Sequence, residues 1–300
     1  MTNLQGGDKR DEICFSNCLR THYGFMKRSF LPFRTALWQA LDAPLCRESL
    51  KETDRVKQNI FASSLQGDHR IQSSDSSYDF SDSRRFKVAM AVTEEEKAAI
   101  YRLRYQVYIE EMDGGRRHDE ADFYNRQLCD QWDDRAYHFY VHHDSLVVAC
   151  ARVMLRRDGP MECEEKFDLE QFAPAFPDRV CMTSRLALHP RIRGSHVLKY
   201  LTCAIYQFWC EQDIQFSFLD CHTRLLPLYS RLGFRTYRPG FNHEKYTYVI
   251  PMVLVVDDVE YLEQVKSPFA AIGRRFPHST KGREFLFSRF PESAARLTSE

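Results

Sequence analysis

Three stretches of this chain carry chemically capable side chains at short, regular spacing. The first is a basic turn, RIRGSH, set between the apolar run VCMTSRLAL (Val180–Leu188) and the amphipathic run VLKYLTCAIYQFWCEQD. A glycine-containing turn from a strand into a helix is an anion site on physical grounds. The first helical N–H groups lack partners, the helix dipole is positive there, and glycine lets a ligand approach the backbone. Arg191, Arg193, Gly194 and Ser195 are therefore the expected phosphate-binding residues; the plain alternative is a basic loop after a strand. The second stretch pairs Arg104 with Tyr108 at i, i+4 on one face of a helix. The third is Asp130-Gln131-Trp132-Asp133, a polar turn with two carboxylates. Arg152 and Arg185 each interrupt an apolar strand. Arginine is almost never fully buried without a partner. Each is expected to pair with Asp130 or Asp133, or to bind a ligand carboxylate.

These residues need elements to position them. FKVAMAV from Phe86 alternates as a strand, and Thr93 followed by Glu94, Glu95 and Glu96 is a capping-box helix start. The helix KAAIYRLRYQVYIEEM turns Ile100, Leu103 and Val107 to the core. Ala136–Val141 and Leu146–Leu155 read as antiparallel strands, Glu164–Phe172 as a short helix, and Val180–Phe234 as strand, turn, helix, strand and a helix ending at Gly233. KYTYVIPMVLVV is a strand, bent or at an edge near Pro251. The order β-α-loop-β-β-(α)-β-α-β-α-β implies an α/β or α+β domain, a mixed twisted sheet flanked by helices, over residues 86–268.

Ahead of it, residues 1–47 form an expected arm, with a short amphipathic helix between Phe25 and Leu45 interrupted by Pro32 and Pro44. Residues 48–85 are an expected flexible linker, because the serine- and aspartate-rich stretch Ser63–Ser83 has too little apolar surface to offset chain entropy. Residues 269–300 form a tail of aromatic and basic residues, packed on the domain in part or loose.

Lysine plus arginine equals aspartate plus glutamate, 42 each, so no global field draws in nucleic acid or an anionic membrane. No apolar run approaches ~18 residues. A soluble cytoplasmic protein with at most peripheral membrane contact is expected. The 10 cysteines include no CxxC pair, and Cys150, Cys181, Cys203 and Cys221 lie in apolar runs, as in a reducing compartment. Cys14, Cys18 and His22 share a helical face without a fourth ligand at zinc spacing, so no metal is expected.

Val180–Phe234 resembles the acyl-binding half of the Gcn5-related N-acetyltransferase (GNAT) superfamily. Arg191-x-x-Gly194 resembles its phosphate turn, and Leu228-Tyr229-x-x-x-Gly233-Phe234 its second-helix motif. The helix Arg102–Glu110, the Asp130–Asp133 turn, Arg152 on its strand and Thr183-Ser184-Arg185 resemble acyl-homoserine-lactone synthases and the related N-acyl amino acid synthases. The run KYTYVIPMVLVVDD is more similar to the N-acyl amino acid branch.

The resemblance implies transfer of a fatty acyl group from an acyl carrier protein thioester to the amine of an amino acid or similar acceptor. No bound cofactor is implied; acyl-phosphopantetheine or acyl-CoA is a substrate. Arg104, Tyr108, Asp130, Trp132, Asp133 and Arg152 become the expected acceptor-binding residues. Leu186 and Leu188 join Arg191, Arg193, Gly194 and Ser195 on the phosphopantetheine side. Ser184, Arg185 and Tyr229 are the expected catalytic residues, Tyr229 as the acid that protonates the thiolate. Two departures matter. His196 stands where the family turn has Gly or Ala, which favours a single phosphate on a carrier arm over a nucleotide. Met182 stands where the family has Glu, so the general base is missing, with Glu110, Glu111 and His138 as the replacements in view. The alternatives are acyl-homoserine-lactone synthesis from S-adenosylmethionine, a coenzyme A-dependent acetyltransferase, and a non-catalytic module that binds acyl chains or carrier proteins.

Overall fold

The structure, a computed structural model, describes residues 80–112, 119–173, 175–243, 247–291 and 293. The expected arm, most of the expected linker, and Cys14, Cys18 and His22 lie outside the described residues.

The strands are β1 (Phe86–Met90), β2 (Ala121–Asp122), β3 (Gln127–Leu128), β4 (Tyr137–His143), β5 (Leu146–Leu155), β6 (Val180–Leu188), β7 (Phe216–Cys221), β8 (Arg235–Thr236), β9 (Phe241–His243) and β10 (Thr247–Val255). The helices are α1 (Glu94–Arg104), α2 (Glu164–Phe167), α3 (Val197–Glu211), α4 (Leu226–Leu232), α5 (Val259–Gln264), α6 (Ala270–Gly273) and α7 (Lys281–Arg289). Among the described residues one mixed sheet runs β1-β4-β5-β6-β7-β10-β8, with β9 on the start of β10; β2 and β3 form a small ribbon. Only β6 and β7 pair in parallel, as a strand–helix–strand crossover through α3 requires.

Helices cover both faces. On one, Leu201, Ile205, Tyr206 and Trp209 of α3 pack on Val153, Cys181 and Leu219 of the sheet. On the other, α1 lays Ile100 and Leu103 on Tyr140 and Cys150, while Phe167, Phe172 and Leu286 cover Met182, Phe216 and Phe218.

The local signals hold. Thr93 Oγ accepts from Glu96 N–H at 3.2 Å and Glu96 accepts from Thr93 N–H at 3.0 Å, closing the capping box. Gly233 ends α4 at φ 111°. A Cβ there would lie 2.4 Å from Leu262 Cδ2. Gly233→Ala is expected to destabilise the fold by about 1–3 kcal/mol, combining left-handed backbone strain with this clash. An unchanged urea midpoint would contradict that.

Three elements differ from expectation. The helix after Thr93 is α-helical only to Arg104; Tyr105–Met112 is π-helical. The wider turns let Tyr105 and Ile109 pack on Leu128 while Val107 stays on the sheet. The helix expected at 164–172 breaks at Asp168, φ 49°. Pro251 is not on a free edge: β10 pairs with β9 through Val249 and with β8 from Met252, and the proline falls in the gap between them. For the tail, of which residues 269–291 and 293 are described, Phe269 stacks on Tyr206 at 4.6 Å and Phe290 on Phe172 at 5.1 Å, the packed one of its two readings.

Candidate active site

The parallel ladder between β6 and β7 is short. It pairs Val180 with Phe216, Cys181 with Ser217 and Met182 with Phe218, and then stops. Beyond it β6 follows β5 and β7 follows β10, so the two strands diverge. A bulge reinforces the divergence. Between the pairs Arg152–Ser184 and Cys150–Ala187, Arg185 and Leu186 oppose Ala151 alone, with Arg185 at φ 55°. The extra residue reverses the side-chain alternation. Met182 packs on the Phe218 face, while Leu186 and Leu188 pack with α3 on the other.

The gap is a cavity of about 180 Å³ that crosses the sheet. Ile205, Trp209, Leu186 and Phe269 line it on the α3 face, and Phe167, Met182 and Val107 on the other. Met182 thus forms an apolar wall. Polar groups reach the cavity from Tyr108, Glu162, Ser184, Arg185, Asp220, His222 and Tyr229, and from Cys163 and His243, whose Sγ and Nε2 are 3.5 Å apart.

The arginines and aspartates anticipated from the sequence form one buried network beside this cavity. Arg104 Nη1 donates to Asp133 Oδ1 at 2.7 Å. Arg152, fully buried, donates from Nη1 to Asp130 and to Asp133 (3.2 Å), from Nη2 to Glu162 (2.6 Å) and from Nε to Ser184 Oγ (3.0 Å). Arg185 Nη2 reaches Asp130 and Glu120, and its guanidinium lies over the Tyr108 ring. Burial alone would raise the Asp130 carboxyl, but Arg152 and Arg185 hold it at about 2. Asp133 is likewise held low against burial by Arg104 and Arg152. His138 is pushed down to about 4 by burial and by Arg104. As a neutral ring it accepts from Arg104 Nη2 at Nδ1 (3.2 Å) and donates from Nε2 to the Asp133 carbonyl (3.0 Å).

Arg104, Asp130, Trp132, Asp133 and Arg152 therefore stand together but do not line the cavity; Tyr108, Ser184 and Arg185 do. Trp132 packs beside Ala136 at the edge of the second core face. Of the proposed bases, His138 is inside the network, Glu110 pairs with Arg126 at the surface, and Glu111 pairs with Arg193.

The basic turn is built as a strand–turn–helix. Gly194 has φ 92°, and Ser195 Oγ accepts from Val197 N–H at 3.3 Å. Arg193 is held by both oxygens of Glu111 and by the Leu188 carbonyl, whereas Arg191 is exposed over the Phe80 ring, 4.9 Å from its centre. Leu186 O accepts from Tyr108 Oη at 2.8 Å. His196 stands exposed at the N-cap of α3.

The sequence reading passed over Asp220 and Glu162. Asp220 lies two residues beyond the last parallel rung, on the Phe218 face. Burial, and then the nearby Glu162, push its carboxyl up to about 6. Its own backbone N–H and the charge of Arg185 pull the other way, but by less. The signal was present: a single acid near the end of an otherwise apolar strand, IQFSFLDC. Tyr229 reaches the cavity from α4, and burial raises its phenol above the usual range, so it stays protonated.

Residues 103–203 match the family model described as an acetyltransferase (GNAT) domain. The mixed sheet flanked by helices is GNAT-like. Among solved structures, FeeM, an N-acyl amino acid synthase from uncultured soil microbes, aligns at 13% identity and TM-score 0.48 over 63% of this chain and 98% of its own. The AHL synthase LasI aligns at 16% and 0.44 over 57% and 90%. MesI, a CoA-dependent acyl-homoserine lactone synthase, aligns at 16% and 0.46 over 61% and 95%. No curated protein matches the chain. Among the described residues no helix is long and apolar enough to cross a membrane.

Proposed function

We propose that this chain transfers an acyl group from a phosphopantetheine thioester to the nitrogen of a small amine. The observation that carries this reading is the gap between β6 and β7, an apolar cavity that opens the sheet between the turn before α3 and Asp220. A thioester approaching from the α3 face sets its phosphate at the 191–195 turn and its acyl chain among Ile205, Trp209, Phe167 and Met182. An amine approaches the carbonyl carbon from the other face.

Each residue then has a limited task. Backbone N–H groups along the bulged end of β6 polarise the carbonyl oxygen as it gains charge. Asp220 takes a proton from the amine as the C–N bond forms. The tetrahedral intermediate collapses, the C–S bond breaks, and Tyr229 O–H protonates the departing thiolate. No enzyme nucleophile is required. His196 and Tyr200, rings 6.3 Å apart at the start of α3, crowd the turn and favour the single phosphate of an acyl carrier protein over the nucleotide of coenzyme A. The buried network positions rather than reacts: Arg152 holds Ser184 and Glu162 at the cavity wall.

The test incubates the purified chain with acyl carrier protein or coenzyme A thioesters and a panel of amines, reading thiol release and product mass. Absence of both thiol and N-acyl product from folded protein, with either donor, would discard the reading. Methylthioadenosine released from S-adenosylmethionine would redirect it to lactone synthesis. Tyr229→Phe is expected to lower kcat by about 100-fold or more with KM little changed. A more acidic thiol leaving group should relieve the defect, and equal loss with every leaving group would remove Tyr229 from the acid role.

A further inference from the structure

We infer that Cys163 is a second acyl acceptor: when no amine occupies the cavity, its thiol, with His243 as base, takes the acyl group from the phosphopantetheine thioester. The inference goes beyond amine acylation and rests on that reading only for the thioester that enters the cavity.

It follows from a thiol and an imidazole that the fold brings together at the cavity wall. Cys163 precedes α2 and His243 ends β9, 80 positions apart in the chain. Both line the cavity, and Cys163 Sγ lies 3.5 Å from His243 Nε2. That is hydrogen-bond reach for sulfur, and a thiol within reach of a base is the arrangement of an activated nucleophile. With its own proton on Nδ1, His243 accepts the thiol proton at Nε2, and the thiolate is the attacking form. The imidazole is buried, and β9 is fixed to β10 by the pairing of His243 with Thr247. Cys163 has φ 53°, a backbone conformation that glycine would take at less cost. Its side chain packs, half-buried, on the cluster that holds Phe167, Met182 and Phe218.

Position supplies the rest. Phe167 and Met182 are walls of the acyl channel, so the thiol borders the thioester's path on the face from which the amine approaches. Cys221 lines the same cavity and provides the contrast. Its Sγ faces Met252 Sδ at 3.7 Å, and burial, then Asp220, push its thiol up to about 12, so it stays protonated. The step at Cys163 balances without a co-reactant. The thiol gives its proton to His243, and the sulfur bonds the acyl carbon. The C–S bond to pantetheine breaks, and the imidazolium returns the proton to the departing thiolate. The products are acyl-Cys163 and free pantetheine thiol. One thioester replaces another, so the step runs in both directions, and Cys163 holds the acyl group in reserve.

The experiment incubates the full chain with octanoyl- or hexadecanoyl-pantetheine and no amine, quenches in acid, and reads intact mass and tryptic peptides. The expected result is a gain of one acyl group on Cys163, removed by neutral hydroxylamine or by excess free pantetheine. Cys163→Ala should abolish that adduct, and His243→Gln should slow its formation about 100-fold or more. Mapping in the wild-type chain needs no variant, so a variant that misfolds leaves the test intact. No adduct, an adduct on Cys221 or any other residue instead, or one that forms as fast in His243→Gln, overturns the inference. The amine panel run in parallel separates the two readings. N-acyl product from a chain that never forms acyl-Cys163 overturns the inference and leaves amine acylation standing. Acyl-Cys163 in a chain that acylates no amine supports the inference and discards amine acylation. Neither product discards both.

Discussion

Asp220→Asn is expected to lower kcat/KM for amine acylation by about 10²- to 10⁴-fold, the range for loss of a positioned base. It should also abolish the acidic limb of the pH profile. The sign follows from the direction of the shift. Burial and Glu162 raise the Asp220 carboxyl to about 6. The base works deprotonated, so wild-type rate climbs as pH rises through about 6, and the asparagine variant lacks that step. The same shift makes a second, opposite prediction for stability. A carboxyl whose folded pKa exceeds its unfolded value opposes folding wherever it is ionised, and that opposition disappears as pH falls through the unfolded value near 4. Removing the charge should therefore stabilise the protein at neutral pH, by about 1–3 kcal/mol. Lost activity with gained stability marks a residue kept for chemistry rather than packing. An unchanged pH profile, or a loss of stability with the loss of rate, would assign Asp220 to structure.

Arg152→Met should have the largest effect on folding. The guanidinium is fully buried and joins Asp130, Asp133, Glu162 and Ser184. Methionine replaces most of the volume but removes the cation that Asp130, Asp133 and Glu162 share, leaving Asp133 to Arg104 and Asp130 to Arg185 alone among the arginines of the network. Removing one partner of a buried ionic group typically costs about 3–5 kcal/mol. For a domain of this size that lowers the melting temperature by about 10 °C. The half-buried pair of Arg156 with Glu164 supplies the contrast, since Arg156→Met should change stability by less than about 1 kcal/mol. Equal, small effects at both arginines would show that the network is not what secures this part of the sheet. Arg152→Met should also slow acylation beyond its effect on folding, because Glu162 and Ser184 lose their anchor at the cavity wall.

Much of the fold was legible because its signals are local. The capping box at Thr93 and Glu96, the left-handed glycine at 233 and the strand–turn–helix around Gly194 each depend on a few neighbouring residues. The pairing of Arg152 and Arg185 with Asp130 was foreseeable too, since burying a guanidinium in an apolar strand requires an acid. Whether those arginines bind a ligand or only the protein's own acids was not, because the answer depends on how many acids converge. Glu162 and Glu120 reach them from segments whose position no periodicity reports. The π-helical turns after Arg104 hid behind a plausible α-helical pattern.

The basic turn shows the same division. Its residue types and spacing follow from the sequence, yet Arg193 faces Glu111, 82 positions away, rather than standing open. Asp220 divides the two kinds of knowledge most clearly. Strand alternation alone places it on the face of Phe216 and Phe218. That this face borders a gap rather than a neighbouring strand was decided only in three dimensions. There the β6–β7 ladder stops at Met182 and the bulge at Arg185 turns β6 away. Backbone pattern and side-chain type are written along the chain, but the end of a ladder and the matching of buried charges are set by segments far apart in it.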